Sequence, residues 1–244
     1  MRRFRLAGRN GETFWLEGEE YRHLKTVLRL GPGSKIIGFD DEVSYFGLIT
    51  ALEAGRALCR IESVLPGSAE AAARVFLVLG LLKGDKTDWV VQKGVELGMA
   101  GFIPLAAARS VARPDEGRRA ARTERQRKIA AAAVKQCGRV RGPEIFPVSA
   151  WADLPALLPP DAVCFLAWEE EKERFFRAEL SGLDWRRPLV ILIGPEGGFT
   201  RAEVETAAAE LGAIPVSLGP RVLRAETAAL AALTLALGAA GDLG

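Results

Sequence analysis

The chain has 244 residues, 49% of them apolar, with 33 Lys and Arg against 31 Asp and Glu, one His and three Cys. That length suits one large domain or a small and a medium one, and the apolar share can bury a sizeable core. No stretch reaches the roughly 20 apolar residues of a membrane span, no apolar segment follows the basic start at residues 1–5 as a secretory signal requires, and three scattered cysteines fit a reducing compartment, the cytoplasm.

In chain order, residues 1–70 predict a small β-rich unit, a barrel in outline, with strands at 13–16, 35–39, 45–50 and 57–61. A helix is expected from Glu19 to Leu30, stopped by Gly31, Pro32 and Gly33. Pro66, Gly67 and Ser68, before an Ala run, predict a linker to a second domain over 74–244. There the pattern changes to apolar runs alternating with helical stretches, which argues for a mostly parallel α/β sheet. Strands are expected at 75–82, 102–105, 163–167, 189–193 and 214–218. The intervening helices are a segment capped by Asp85 or Thr87 and ending at Gly98, a basic helix over 118–136, a helix from Thr200 to Leu211 and a last one over 226–237. Glu203, three residues after Thr200, completes a capping box.

The net charge of +2 hides an asymmetry. Residues 1–35 hold eight basic side chains against four acidic, residues 109–141 eleven against three, and residues 142–244 eight against fifteen. Clustered Lys and Arg are the electrostatic footprint of a polyanion partner, although each residue alone reads as a solvated charge. Several chemistries are disfavoured. A single histidine, His23, supplies neither a Cys/His metal set nor a convincing triad, so no metal is expected. Neither a P-loop nor a Gly-x-Gly-x-x-Gly turn occurs.

Two loops follow buried strands at the ends where open α/β sheets bind ligands. The first reads IGPEGGFT over 193–200, and its glycines let the backbone approach a ligand closely. The second reads LGPRVLRAET over 218–227 and sets Arg221 and Arg224 before a helix. A cation there opposes the helix dipole, which makes sense if an anion lies between the arginines.

These loops resemble the two most specific motifs of the 16S rRNA uridine-N3 methyltransferases, knotted enzymes of the SPOUT superfamily. KGDKTDWVVQKGVELG over 83–98, QCGR over 136–139 and HLKTVLRL over 23–30 are similar to further motifs of that family, in order along nearly the whole chain; Lys135 stands where the family pattern has Glu. The resemblance implies an N-terminal PUA-like β-barrel that grips RNA and an α/β domain with a C-terminal trefoil knot. It implies S-adenosylmethionine as methyl donor, with S-adenosylhomocysteine as product, a homodimer with each site near the subunit interface, and 16S rRNA, within the 30S subunit, as substrate.

Uridine N3 is a weakly acidic imide, so its methylation needs a proton acceptor or a cation that stabilises the developing anion. Arg224, with Arg221, is expected in the anion-stabilising role, and Glu196 or Glu226 as acceptor. Glu226 also reads as an ordinary helix-start carboxylate. Leu166, Gly194, Pro195, Glu196, Gly197, Leu218, Gly219, Arg221, Leu223 and Thr227 are expected to hold the cofactor. Arg3, Arg22, Lys25, Arg29, Arg109, Arg122 and Arg139 are the candidate RNA contacts; Phe4, Phe14 and Trp15 fit base stacking less well than core packing. Two alternatives stay open: a SPOUT enzyme with another RNA target, and an RNA-binding assembly factor without catalysis.

Overall fold

The computed structural model describes residues 1–66, 69–110 and 116–243; Gly67 and Ser68 of the expected linker lie outside them. The chain forms two units, one of Met1–Glu70 with Val134–Arg141, the other of Ala71–Ala133 with Gly142–Gly244.

The first unit is a six-stranded sheet of β1 (Arg3–Arg5), β2 (Gly8–Asn10), β3 (Thr13–Glu17), β4 (Lys35–Phe39), β5 (Ser44–Leu52) and β6 (Arg56–Leu65), ordered β1-β4-β5-β6-β3-β2. β1 and β2 are separated by two residues yet pair at opposite edges. Leu6 N–H donates to Phe39 O and Ala7 N–H to Trp15 O. One short segment thus binds both edges and curls the sheet toward closure, which removes exposed strand edges. Phe14 is fully buried, and its ring occupies the space a Cβ would need at Gly38 and Gly47. Phe4 is likewise core.

The expected helix over 19–30 is shorter and different in kind. It is α1 (Gly18–Arg22) followed by a π-helical turn over His23–Val27. Arg29 then adopts φ 52°, so the helical path ends before the Gly-Pro-Gly stop. Tyr21 and Leu24 are buried, while Arg22, His23, Lys25 and Val27 face solvent.

The second unit is a parallel sheet in the order β12-β10-β11-β7-β8-β9, built from β7 (Val75–Gly80), β8 (Gly101–Leu105), β9 (Glu144–Ile145), β10 (Val163–Ala167), β11 (Leu189–Ile193) and β12 (Ile214–Val216). β7, β8 and β11 are buried at every position, the mark of strands covered on both faces. Cys164, Leu166, Val190, Leu192, Phe76 and Val78 form one face of the core with Val204 and Ala207. Those two belong to α6 (Arg201–Leu211), the helix whose Thr200–Glu203 capping box is formed. The other face is covered by α7 (Ala225–Ala239), which packs on β7, β11 and α2 (Lys86–Leu97). α2 ends at Gly98, in the left-handed region at φ 113°. The basic helix is α3 (Glu116–Cys137), and the short α4 (Leu154–Leu157) and α5 (Phe176–Glu179) complete the fold.

α7 buries Ala225, Ala228, Ala229, Ala232, Leu233, Ala236 and Leu237. Its Ala-rich face is therefore core within this unit. No described helix is long and apolar enough to cross a membrane.

Candidate active site

The parallel register brings the C-terminal ends of β10, β11 and β12 side by side. The loops leaving them surround a cavity of about 490 Å³, within the usual range for small-molecule sites. Its wall combines residues 193–198, residues 217–225 with Ala228, the segment Ala167, Trp168, Glu169 and Lys172, and Lys86 from the start of α2.

The first loop is built by close backbone approach. A Cβ at Gly80 would lie 2.5 Å from the Pro195 nitrogen, and one at Gly194 would lie 3.0 Å from the Phe199 nitrogen. Gly198 N–H donates to Pro195 O at 2.9 Å, and Arg109 donates to Gly197 O at 2.8 Å. Behind the loop, the buried Glu203 accepts from Ala108 N–H at 2.8 Å and from the Trp151 indole at 2.9 Å, besides Thr200. Burial pushes the Glu203 carboxyl up, but these donors outweigh it and hold the group below the usual carboxylate range.

The second loop carries Gly219 at φ 125° and then the two arginines. Arg221 and Arg224 are exposed, line the cavity, and make no hydrogen bond or ion pair among the described residues. Arg224 stands at the N-cap of α7 with extended backbone and no side-chain cap. A free cation at that end of a helix opposes the dipole and favours an incoming anion.

Three charged side chains from three segments meet at one edge. Lys86 Nζ lies 3.5 Å from Glu196 Oε1 and 3.3 Å from Glu226 Oε1. Glu196 also accepts Lys83 N–H at 3.1 Å. Burial raises the Glu196 carboxyl, but its own N–H, the Lys83 N–H and Lys86 together bring it below the ordinary range. Glu226 does not line the cavity; its Oε2 is buried with no hydrogen-bond partner among the described residues.

Of the expected cofactor residues, Gly194, Pro195, Glu196, Gly197, Leu218, Gly219, Arg221 and Leu223 line this cavity. Leu166 and Thr227 do not. Strand alternation turns Leu166 into the core beside Cys164, and it is Ala167 that reaches the wall. Thr227 is exposed on α7, while Ala225 and Ala228 occupy the wall. Sequence reasoning missed Lys86, Trp168, Glu169 and Lys172. The signal for the last three was their place directly after a buried strand; for Lys86 it was a cation at a helix start.

The basic candidates separate by partner. Arg3 Nη2 donates to Ser44 Oγ and to the carbonyls of Gly138 and Arg139, and its guanidinium stacks over Phe39. Arg139 is 4% exposed and pairs with Glu70 at 2.8 Å. Arg122 donates to Thr87 Oγ1 at 2.9 Å and to Leu82 O. These three tie the fold together, and Lys135 pairs with Glu20. Arg22, Lys25 and Arg29 remain exposed on the first unit.

The second unit is thus a parallel α/β unit with a glycine-rich cleft over its strand ends, and the first is a curled β-sheet. The family model of the RNA methyltransferase domain matches residues 69–237, and that of the RNA methyltransferase PUA domain matches residues 16–62. The chain belongs to this RNA methyltransferase family. It is 36% identical to the ribosomal RNA small subunit methyltransferase E of Bacillus subtilis, over 91% of this chain and 88% of the relative. It is 31% identical to the Mycobacterium bovis protein of the same name, over 93% and 86%. Among solved structures, the Neisseria gonorrhoeae ribosomal RNA small subunit methyltransferase E bound to S-adenosylmethionine superposes with TM-score 0.82 at 30% identity, covering 96% of each chain.

Proposed function

We propose that this chain transfers the methyl group of S-adenosylmethionine to N3 of a uridine in 16S ribosomal RNA. The observation that carries the reading is the pair of arginines, Arg221 and Arg224, without partners among the described residues, on the wall of a glycine-lined cavity. Its size fits the cofactor. Gly194 and Gly219 leave their backbone groups open to the adenosine, and a side chain at Gly194 would crowd the loop itself.

S-adenosylmethionine supplies an electrophilic methyl on a sulfonium. The N3 lone pair forms the new N–CH₃ bond as the S–CH₃ electrons return to sulfur, so in-line placement is the protein's first task. Arg224, assisted by Arg221, stabilises the negative charge that develops on the uracil as N3 gives up its proton. Of the two carboxylates considered as acceptor, Glu196 is on the wall and Glu226 is behind Lys86; the proton passes to Glu196. The exposed Arg22, Lys25 and Arg29 grip RNA phosphates from the PUA-like unit.

The same reading makes the segment from β11 to α7 a trefoil knot, with both loops converging on the cofactor. It makes the protein a cytoplasmic homodimer, supported by the exposed Trp89, Val222 and Leu235. The test is methyl transfer from labelled cofactor to unmodified 16S rRNA, naked and in 30S subunits, followed by nucleoside mass analysis. 3-Methyluridine is the expected product. Another methylated nucleoside moves the target, and no transfer with no cofactor binding leaves an RNA-binding factor.

A further inference from the structure

Lys86 opens α2, where a cation opposes the helix dipole and costs stability. The side chain is not left in solvent. It takes one oxygen of Glu196, in the loop after β11, and one of Glu226, in the first turn of α7. Those two segments hold the two halves of the cavity wall: Glu196 sits between Pro195 and Gly197, and Glu226 follows Arg224 and Ala225. Without the ammonium, two carboxylates would face each other, one of them 15% exposed and already carrying an oxygen with no partner among the described residues. Like charges so placed repel strongly where water is scarce.

We infer that Lys86 is a positioning residue, an ionic strut that holds the two cofactor loops together and sets the aim of Arg224. Glu226 acts through Lys86 rather than on the substrate. The cofactor part of this inference rests on the function proposed above; the strut itself does not.

The geometry makes an unusual demand on variants. Lys86→Met leaves the Glu196 and Glu226 charges opposed. Adding Glu226→Gln removes the repulsion, so the second substitution repairs the first. The experiment measures S-adenosylmethionine affinity by calorimetry, and amide hydrogen exchange of residues 194–198 and 219–224 without cofactor, for wild type, Lys86→Met, Glu226→Gln, the double variant and Lys86→Arg.

Lys86→Met is expected to weaken binding about tenfold, the scale of a lost charged hydrogen bond, and to speed exchange in both loops. The double variant recovers most of both losses, and Lys86→Arg, which keeps the charge, stays near wild type. A double variant as impaired as Lys86→Met, or worse, overturns the strut. Failure of the wild type to bind S-adenosylmethionine would overturn the proposed function instead, and the exchange data would still decide for or against the strut.

Discussion

In the first unit Arg3, Arg139 and Arg141 spend their guanidinium groups on oxygens of the fold: carbonyls of Gly138 and Arg139, the Glu70 carboxylate, and Asp41 O. At the cavity, Arg221 and Arg224 have no hydrogen-bond or ion-pair partner among the described residues. In the sequence the first set belongs to the basic blocks at 1–35 and 109–141, while the second lies in the acidic part of the chain and shows only through its Gly-Pro loop. What separates them is whether the protein supplies the counter-oxygen itself, and an arginine the fold leaves unanswered is one a ligand can answer. The sharpest way to break this contrast is to exchange the phenotypes. Arg224→Ala should reduce methyl transfer about a hundredfold or more, the scale of losing one pre-organised charge-stabilising donor, with the thermal midpoint unchanged. Arg139→Ala should do the reverse. It takes the cation from the Glu70 carboxylate, which keeps the Val140 and Arg141 N–H donors, and should cost about 1–3 kcal/mol in denaturant unfolding, while transfer per folded molecule is kept. An activity loss from Arg139→Ala at full stability would erase the distinction.

The two loops that wall the cavity differ in what supports them, and this too can be tested. The first leans on Gly80, so Gly80→Ala drives a methyl into Pro195. Overpacking of that kind costs about 1–3 kcal/mol, and here it should also weaken cofactor binding by moving the wall. The second loop has no such contact at Gly219 and resists substitution there through its positive φ alone. Glu203 buttresses the first loop through the Ala108 N–H and the Trp151 indole. Its folded carboxyl titrates below the ordinary value. Its stabilisation is therefore present above the unfolded pKa of about 4.3 and is lost as pH falls through the folded one. Glu203→Gln should cost about 1–2 kcal/mol at neutral pH and flatten the acid limb of a stability–pH curve below about pH 4.3. An unchanged acid slope would remove Glu203 from that role.

Much of this was legible along the chain because glycine, proline and apolar runs act locally. The strands at 163–167 and 189–193, the Thr200 cap and the Gly98 stop are all where local patterns put them, and the strand expected at 75–82 runs over 75–80. The parts that were not legible depend on residues far apart in sequence. β1 and β2 have three residues each, too few to show alternation, and exist because a curled sheet offers them two edges. The acidic run over 169–173 shows no motif in the sequence, and only β10 brings Trp168 to the cavity wall and Glu169 beside Gly198. Leu166, expected at the site, turns into the core, and alternation gives the cavity wall to Ala167. Lys86 opens a helix whose first residues look like surface in the sequence, and only the arrival of Glu196 and Glu226 from 110 or more residues away gives it work.

The smallest effects should come from the exposed cations of the first unit. Arg22, Lys25 and Arg29 lie on or next to the α1 and π-helical segment, and only Lys25 is partly engaged, at 3.1 Å from the Tyr21 hydroxyl. If they neutralise RNA phosphates, each alanine substitution should lower the slope of log binding constant against log salt by roughly one, with little change in cofactor affinity. Arg122→Ala offers the contrast within the same measurement: its guanidinium already holds Leu82 O and Thr87 Oγ1. It should leave the salt slope alone and lower stability by about 1–2 kcal/mol. Equal slopes for all four variants would mean that exposure and free charge do not identify the RNA face, and that the contrast drawn from Arg139 and Arg224 holds only at the cavity.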